Sequence, residues 1–406
     1  MSGLLPVDEA LRRIMEAAAE AGAELVALAE AGGRVLADNL YAQRQQPPFA
    51  ASAMDGYAVR AADVENAPVK LKLAGQSAAG HGFSGELSAG EAVRIFTGAP
   101  VPIGADSVVI QENTVARAGE VEILQPILAG KNIRRAGLDF NEGDLLLAAG
   151  RLLDPAALAL AASANHAQLA VRRRPIVAIL ATGDELVEPG QAPRADQIIA
   201  SNSFGVAEIA RLAGAVTIDL GIAEDNLDAL SNAIDRAVAA RADILITLGG
   251  ASVGDHDLVQ PALASKGLEL DFWKIALRPG KPLMFGRLGP MNVLGLPGNP
   301  VSSLICAHVF LVPLLRKMLA LPYEPELQPA IVASDMPAND QRQDYVRARI
   351  ARGPHGTLTA TPFAVQDSSM LKFLADANGV IVRAPAAPAL QAGDQCRVMM
   401  LRSEVE

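Results

Sequence analysis

Asp243-Ile244-Leu245-Ile246-Thr247-Leu248 runs without a break into Gly249-Gly250-Ala251-Ser252-Val253-Gly254-Asp255-His256-Asp257, and this junction decides the fold. An apolar run of strand length that ends in a glycine-rich loop is how a buried strand of a parallel sheet brings its carboxyl end to a ligand. Two further loops have the same character. Thr182-Gly183-Asp184-Glu185 follows the apolar run 176–181. Gly295-Leu296-Pro297-Gly298-Asn299-Pro300-Val301-Ser302-Ser303 links the run 291–294 to a helix, with Asn299 expected as N-cap and Pro300 in the first turn. Glycines let a backbone approach phosphate oxygens, and helix N-termini attract anions. Each loop alone is equally a tight turn; together they point to one ligand-binding rim.

Working outward, helix-length segments at 204–213 and 227–241 alternate with apolar runs at 176–181, 216–220 and 243–248. That alternation predicts βαβ units and a mostly parallel sheet. Runs at 270–276, 283–285 and 291–294 extend it. Before it, 6–21 reads as an amphipathic helix, and 41–150 holds short apolar runs at 69–73, 93–96, 107–110 and 121–124 between Gly, Pro and Ala. Asp154-Pro155 opens a second helix that is expected to pack back onto the first, which makes the β region an insertion. After Leu321-Pro322 only strand-sized runs follow. The expected fold class is α/β multidomain: a central doubly wound α/β domain at 175–321, a helical or mixed N-terminal domain at 1–45 plus 141–174, an inserted β-rich domain at 46–140, and a C-terminal all-β, barrel-like domain at 322–406.

At 406 residues the chain is too long for one ordinary core. Half its residues are hydrophobic and 20% charged, as in soluble globular proteins. The net charge of −10 argues against a nucleic-acid partner, because such proteins present a cationic surface to the phosphate backbone. Two distant cysteines, Cys306 and Cys396, fit a reducing cytoplasm. No secretory signal is visible, and the apolar segment 301–315 falls short of the ~20 residues that span a bilayer, so it is expected to be a buried helix.

Within this acidic chain Lys274, Arg278 and Lys281 flank a Pro279-Gly280 turn and can converge on a small anion. Asp184, Glu185, Asp225, Asp255 and Asp257 all follow predicted strands. Carboxylates beside phosphates suit Mg²⁺, which keeps most of its waters and takes one or two protein oxygens. As a group they favour a metal-assisted reaction at a phosphate or phosphoanhydride. There is no G-x-x-x-x-G-K-[ST] sequence, and Gly80-His81-Gly82-Phe83-Ser84-Gly85 has no helix to follow it, so neither a P-loop nor a dinucleotide site is expected. By turn chemistry alone, Asp55-Gly56 is a turn.

The motifs Met54-Asp55-Gly56-Tyr57-Ala58, Phe96-Thr97-Gly98-Ala99-Pro100, Thr182-Gly183-Asp184-Glu185-Leu186, Gly249-Gly250 to Gly254, Pro279-Gly280-Lys281-Pro282 and Leu296-Pro297-Gly298-Asn299-Pro300-Val301-Ser302 span nearly the whole chain. On these residues the chain resembles the molybdopterin molybdenumtransferase (MoeA) family, related to the gephyrin E domain. The resemblance implies a cytoplasmic, Mg²⁺-dependent enzyme that inserts molybdenum from molybdate into adenylylated molybdopterin and releases AMP. It also implies a homodimer with a composite site, a central domain of the molybdopterin-binding type, and a contact with the molybdopterin adenylyltransferase. The functional positions it carries over are Asp55, Thr97, Asp139, Glu185, Asp225, Asp257 and Lys274 for catalysis. Glu185, Asp225 and Asp257 would hold the metal or orient water. Phosphate and molybdate binding falls to Gly183, Gly249, Gly250, Ser252, Gly254, Arg278, Lys281, Pro297, Gly298, Asn299, Ser302, Arg347 and Ser368, with Asp55 and Thr97 supplied by the partner subunit. Arg278 stands where many members have lysine, and Asp367 stands where glycine is expected.

Overall fold

Strand Ile244–Leu248 is buried at every residue, as its unbroken apolar run requires. It lies inside a six-stranded sheet ordered Val216–Ala223, Ile176–Thr182, Ile244–Leu248, Met291–Leu296, Met284–Leu288, Glu269–Trp273. The first four strands are parallel, and the last two join antiparallel. Side-chain alternation makes the sheet doubly wound. Val177 and Ile179 face a core shared with helix Asn202–Leu212, while Ala178 and Leu180 face a second core shared with helix Leu227–Ala239. The amino-terminal ends of the neighbouring strands Ile176–Thr182 and Ile244–Leu248 are tied together by Asp243, which accepts from Arg173 on both carboxylate oxygens at 2.9 and 2.8 Å and from the Ile176 amide at 2.7 Å.

This computed structural model describes residues 4–250, 258–353 and 356–402. The chain divides into two units, one of residues 1–24 with 172–406 and one of residues 25–171.

In the first unit, helix Val7–Ala17 buries Val7, Ala10, Ile14 and Met15 in the α/β core beside Val309, Phe310 and Leu314. This corrects the expectation that it pairs with the second helix. Its 3.6-residue apolar stripe is completed by the apolar segment at 300–318, whereas helix Pro155–Ser163 buries Ala157 and Ala161 against Leu36, Leu153 and Val171. Residues Pro300–Met318 are long and apolar enough to cross a membrane, but 72% of that window is buried, as in a core helix. The segment widens to a π turn at Ala307–Leu311. Pro313 explains this, because it has no amide to return to Val309.

The C-terminal strands close on themselves in the order Gln343–Arg352, Leu358–Pro362, Leu327–Val332, Gln395–Met400, Gly379–Arg383 and back to Gln343–Arg352, a barrel without free edges. The barrel is less separate than the sequence suggests. Leu277–Arg278 pairs with Gln343 and Asp344, and Tyr345, Val380 and Met399 are buried in the α/β core.

The second unit is built on a six-stranded sheet ordered Ser107–Ile110, Gly56–Val59, Glu91–Ile95, Val69–Ser77, Glu120–Ile123, Thr114–Arg117, with an apolar cluster on each face. Asp154 caps its helix as expected, accepting the Ala157 amide at 2.8 Å. Gly56 opens a fully buried strand, so the turn expected at Asp55-Gly56 becomes a strand entry.

Candidate functional site

Ile176–Thr182 lies between its successor Val216–Ala223 and Ile244–Leu248, so the strand order reverses beside it and the loops diverge. Ligands of open α/β sheets bind in the crevice such a reversal leaves. Here the crevice is a cleft of about 580 Å³ lined by Thr182, Glu185, Gly249, Gly298, Asn299 and Ser302, with Pro297 and Pro300 beside them. Gly249 has φ +95°, and a Cβ there would stand 2.9 Å from the Thr182 carbonyl. Only glycine lets the two strand ends approach this closely. Gly183 has φ +142° and makes room for the Glu185 carboxylate, whose Oε2 lies 2.3 Å from where a Cβ would be.

Glu185 belongs to an acidic group with Asp184 and Asp225, and the Asp225 amide donates to Asp184 Oδ1 at 3.0 Å. Burial, then the charges of Asp184 and Glu185, push the Asp225 carboxyl above its usual value. Among the described residues, the charges that act on Asp225 are both negative. Among the described residues no three His, Cys, Asp or Glu side chains converge as a metal cage. Two carboxylate donors nonetheless fit Mg²⁺, which completes its shell with water and substrate oxygens.

A loop of the barrel forms the other side of the cleft, through Ser369. Arg347, only 1% exposed, holds that loop: Nε donates to Gln366 Oε1 at 3.2 Å, Nη1 to the Met370 carbonyl at 3.1 Å, and Nη2 to the carbonyls of Asp367 and Val365 at 2.9 and 3.5 Å. Burial pushes the Arg347 pKa down, and the Asp367 charge opposes that shift. The Val301 amide donates to the Ser368 carbonyl at 3.1 Å, which docks the loop on the first turn of Pro300–Cys306. The Asn299 side chain makes no capping bond; the main-chain carbonyl of Asn299 accepts the Ser303 amide at 2.9 Å.

The expected donor-rich oxyanion pocket is therefore rearranged. Arg347 donates to its own loop, and Arg278 turns away to pair with Asp344, with Asp340 at 3.2 Å and with Asn339 at 3.1 Å. Arg278 lines a neighbouring cavity of about 410 Å³ instead. Neither arginine, nor Lys281, Ser368 or Gly250, lines the cleft. Lys281 is exposed, and Lys274, in left-handed backbone at φ +76°, carries its Nζ 5.7 Å from the centre of the Trp273 ring. Ser252, Gly254 and Asp257 lie outside the described residues. Asp55, Thr97 and Asp139 belong to the second unit. There Asp55 accepts the Thr97 amide and hydroxyl, while Asp139 is exposed and donates its amide to the Gln46 carbonyl at 2.9 Å.

Sequence reasoning missed three contributors. Asn202 donates to the Gly298 carbonyl at 2.8 Å, the small parallel ladder Leu186–Val187 with Ile198–Ile199 gives the cleft an apolar wall, and Ser369 closes it. Ser201-Asn202-Ser203 at the start of a helix was a legible signal, since such residues gather at helix N-termini. Nothing local marked Ser369.

The chain matches three family models: MoeA N-terminal region (domain I and II) over residues 5–165, probable molybdopterin binding domain over 178–317, and MoeA C-terminal region (domain IV) over 329–401. A curated molybdopterin molybdenumtransferase from Haemophilus influenzae is 35% identical over 93% of this chain and 94% of its own length. One from Bacillus subtilis is 34% identical over 98% and 95%. The crystal structure of the molybdopterin biosynthesis MoeA protein from Pyrococcus horikosii superimposes with a TM-score of 0.86 at 29% identity, covering 99% of this chain and all of that one. With relatives aligned almost end to end and the cleft seated in its molybdopterin-binding-type domain, the chain belongs to the MoeA family.

Proposed function

We propose that this protein is a molybdopterin molybdenumtransferase of molybdenum-cofactor biosynthesis, which takes adenylylated molybdopterin and molybdate, inserts molybdenum at the dithiolene and releases AMP. Its curated relatives carry that enzyme name over nearly their whole length. The observation that supports it most directly is the switch-point cleft with Glu185 on its rim and Asp225 beside that residue, a carboxylate pair suited to a phosphoanhydride. Glu185 and Asp225 would hold Mg²⁺, with Asp257 as a third candidate. Bound there, Mg²⁺ would supply positive charge against the phosphate oxygens.

The chain's own groups do the rest. Gly249 and Gly298 would let the backbone close on the ligand, Ser302 lines the same cleft, and the apolar wall of Leu186, Ile198 and Ile199 would seat a flat ring. Arg347 keeps the barrel loop in place, and Lys274 and Lys281 bring positive charge for an anionic substrate. We take the working form to be a cytoplasmic homodimer in which Asp55 and Thr97 of one subunit serve the cleft of the other, with the molybdopterin adenylyltransferase as a delivering partner.

Measuring AMP release from adenylylated molybdopterin with Mg²⁺, with and without molybdate, tests the reading. Molybdate-dependent release supports it. ATP consumption with molybdopterin in place of AMP release would assign the preceding adenylyl transfer, and binding without release would leave a carrier.

A further inference from the structure

Building on the molybdopterin reading above, we propose that Ser369 recognises the amino-bearing edge of the ligand's heterocycle, and that Asp367 is the positioning residue that makes the serine hydroxyl an acceptor. Ser369 lines the cleft. Its amide and its hydroxyl both donate to Oδ1 of Asp367, at 2.8 and 2.6 Å. A hydroxyl has one proton and two lone pairs. With the proton turned to a carboxylate, the oxygen offers the cleft only lone pairs, so its partner there must bring an N–H or O–H.

An oxyanion at this wall would meet lone pairs backed by a negative charge, with no proton between them. The arrangement is also held in place. Arg347 fixes the carbonyls of Asp367 and Met370 on either side of Ser369, and the Val301 amide fixes that of Ser368. Leu186, Ile198 and Ile199 line the same cleft and offer a flat ring an apolar face. An amino-substituted aromatic ring satisfies both surfaces. Adenylylated molybdopterin has two, the pterin and the adenine, which share this chemistry.

The test is calorimetric titration of the full chain with two probe pairs, 6-hydroxymethylpterin against 6-hydroxymethyllumazine and AMP against IMP, in which an oxo group replaces the amino group. Wild type is expected to prefer the amino member of one pair about tenfold, the worth of one hydrogen bond, and that pair identifies the ring. The preference should fall to near unity in Ser369→Ala. It should fall in Asp367→Ala, where the hydroxyl is free to turn and donate, and survive in Asp367→Asn, whose amide oxygen still accepts from Ser369. A wild-type preference unmoved by Ser369→Ala overturns the assignment while the molybdopterin reading stands. Equal loss in Asp367→Asn and Asp367→Ala overturns the positioning role, and failure of wild type to bind any of the four overturns the underlying reading and the inference with it.

Discussion

Thr97 donates both its amide and its hydroxyl to one oxygen of Asp55, at 2.7 and 2.8 Å, tying two loops of the second unit across 42 positions of sequence. The amide bond first, and the hydroxyl second, hold the Asp55 carboxyl below its ordinary value of 3.8. A depressed folded-state pKa contributes stability that is present above the unfolded value and is lost as pH falls through the folded one. The tie should therefore persist to below pH 3.8. Following the Thr97 amide resonance through an acid titration should give a midpoint below that value in wild type and a higher one in Thr97→Val, which keeps the amide but loses the hydroxyl. Identical midpoints in the two proteins would show that the hydroxyl does not act on Asp55.

Asp225 presents the opposite sign. Its carboxyl is raised, by burial first and then by Asp184 and Glu185, so the stability linked to its protonation is present at low pH and lost as pH rises through the raised value. At neutral pH three like charges then repel one another. Asp184→Asn keeps an oxygen for the Asp225 amide while removing one charge, and it should raise the melting temperature at pH 7 but not near pH 3. Millimolar Mg²⁺ should raise it in wild type too, and less so in the variant. No change at pH 7 from either treatment would count against a cation at this cluster.

Gly183→Ala separates site geometry from stability. The atom in its way is the end of the flexible Glu185 side chain, so the fold should lose only ~1–2 kcal/mol from the left-handed backbone. Glu185 must move, however, and AMP release should fall at least tenfold. Full activity with Glu185 displaced would remove that carboxylate from the site.

Arg347 is a different case, because its loss leaves the Met370 carbonyl without its donor and takes one of two donors from the Asp367 carbonyl, which keeps the Met370 amide, and from the Gln366 amide oxygen, which keeps the Arg347 amide. Arg347→Ala should cost about 2–4 kcal/mol in urea unfolding, on the scale of a buried polar network broken on one side. Arg347→Lys keeps the charge but cannot span the same acceptors, so it should recover less than half of that loss. Unchanged unfolding midpoints would mean that the loop is held by other contacts.

Much of this molecule is written locally in its sequence. The strand at Ile244–Leu248, the helices at Asn202–Leu212 and Leu227–Ala239, the cap at Asp154 and the glycines at 183 and 249 are visible because apolar period, capping chemistry and turn chemistry act over a few residues. Tertiary structure decided which apolar faces meet. Helix Val7–Ala17 entered the α/β core because its stripe matched a segment about three hundred positions away in the chain, and nothing in its own period could name that partner. Tertiary structure also decided what the charges do. Arg278 was recognisable as a cation beside a Pro-Gly turn, and Arg347 was named only through the family resemblance, but Asp344 and the loop at 365–370 take up their donors, while Ser369 enters the cleft through a loop that Arg347 holds. The elements and the kinds of side chain at the rim follow from neighbours in the chain, whereas the donors left for a ligand follow from packing, since a hydrogen bond goes to whatever acceptor folding brings within reach.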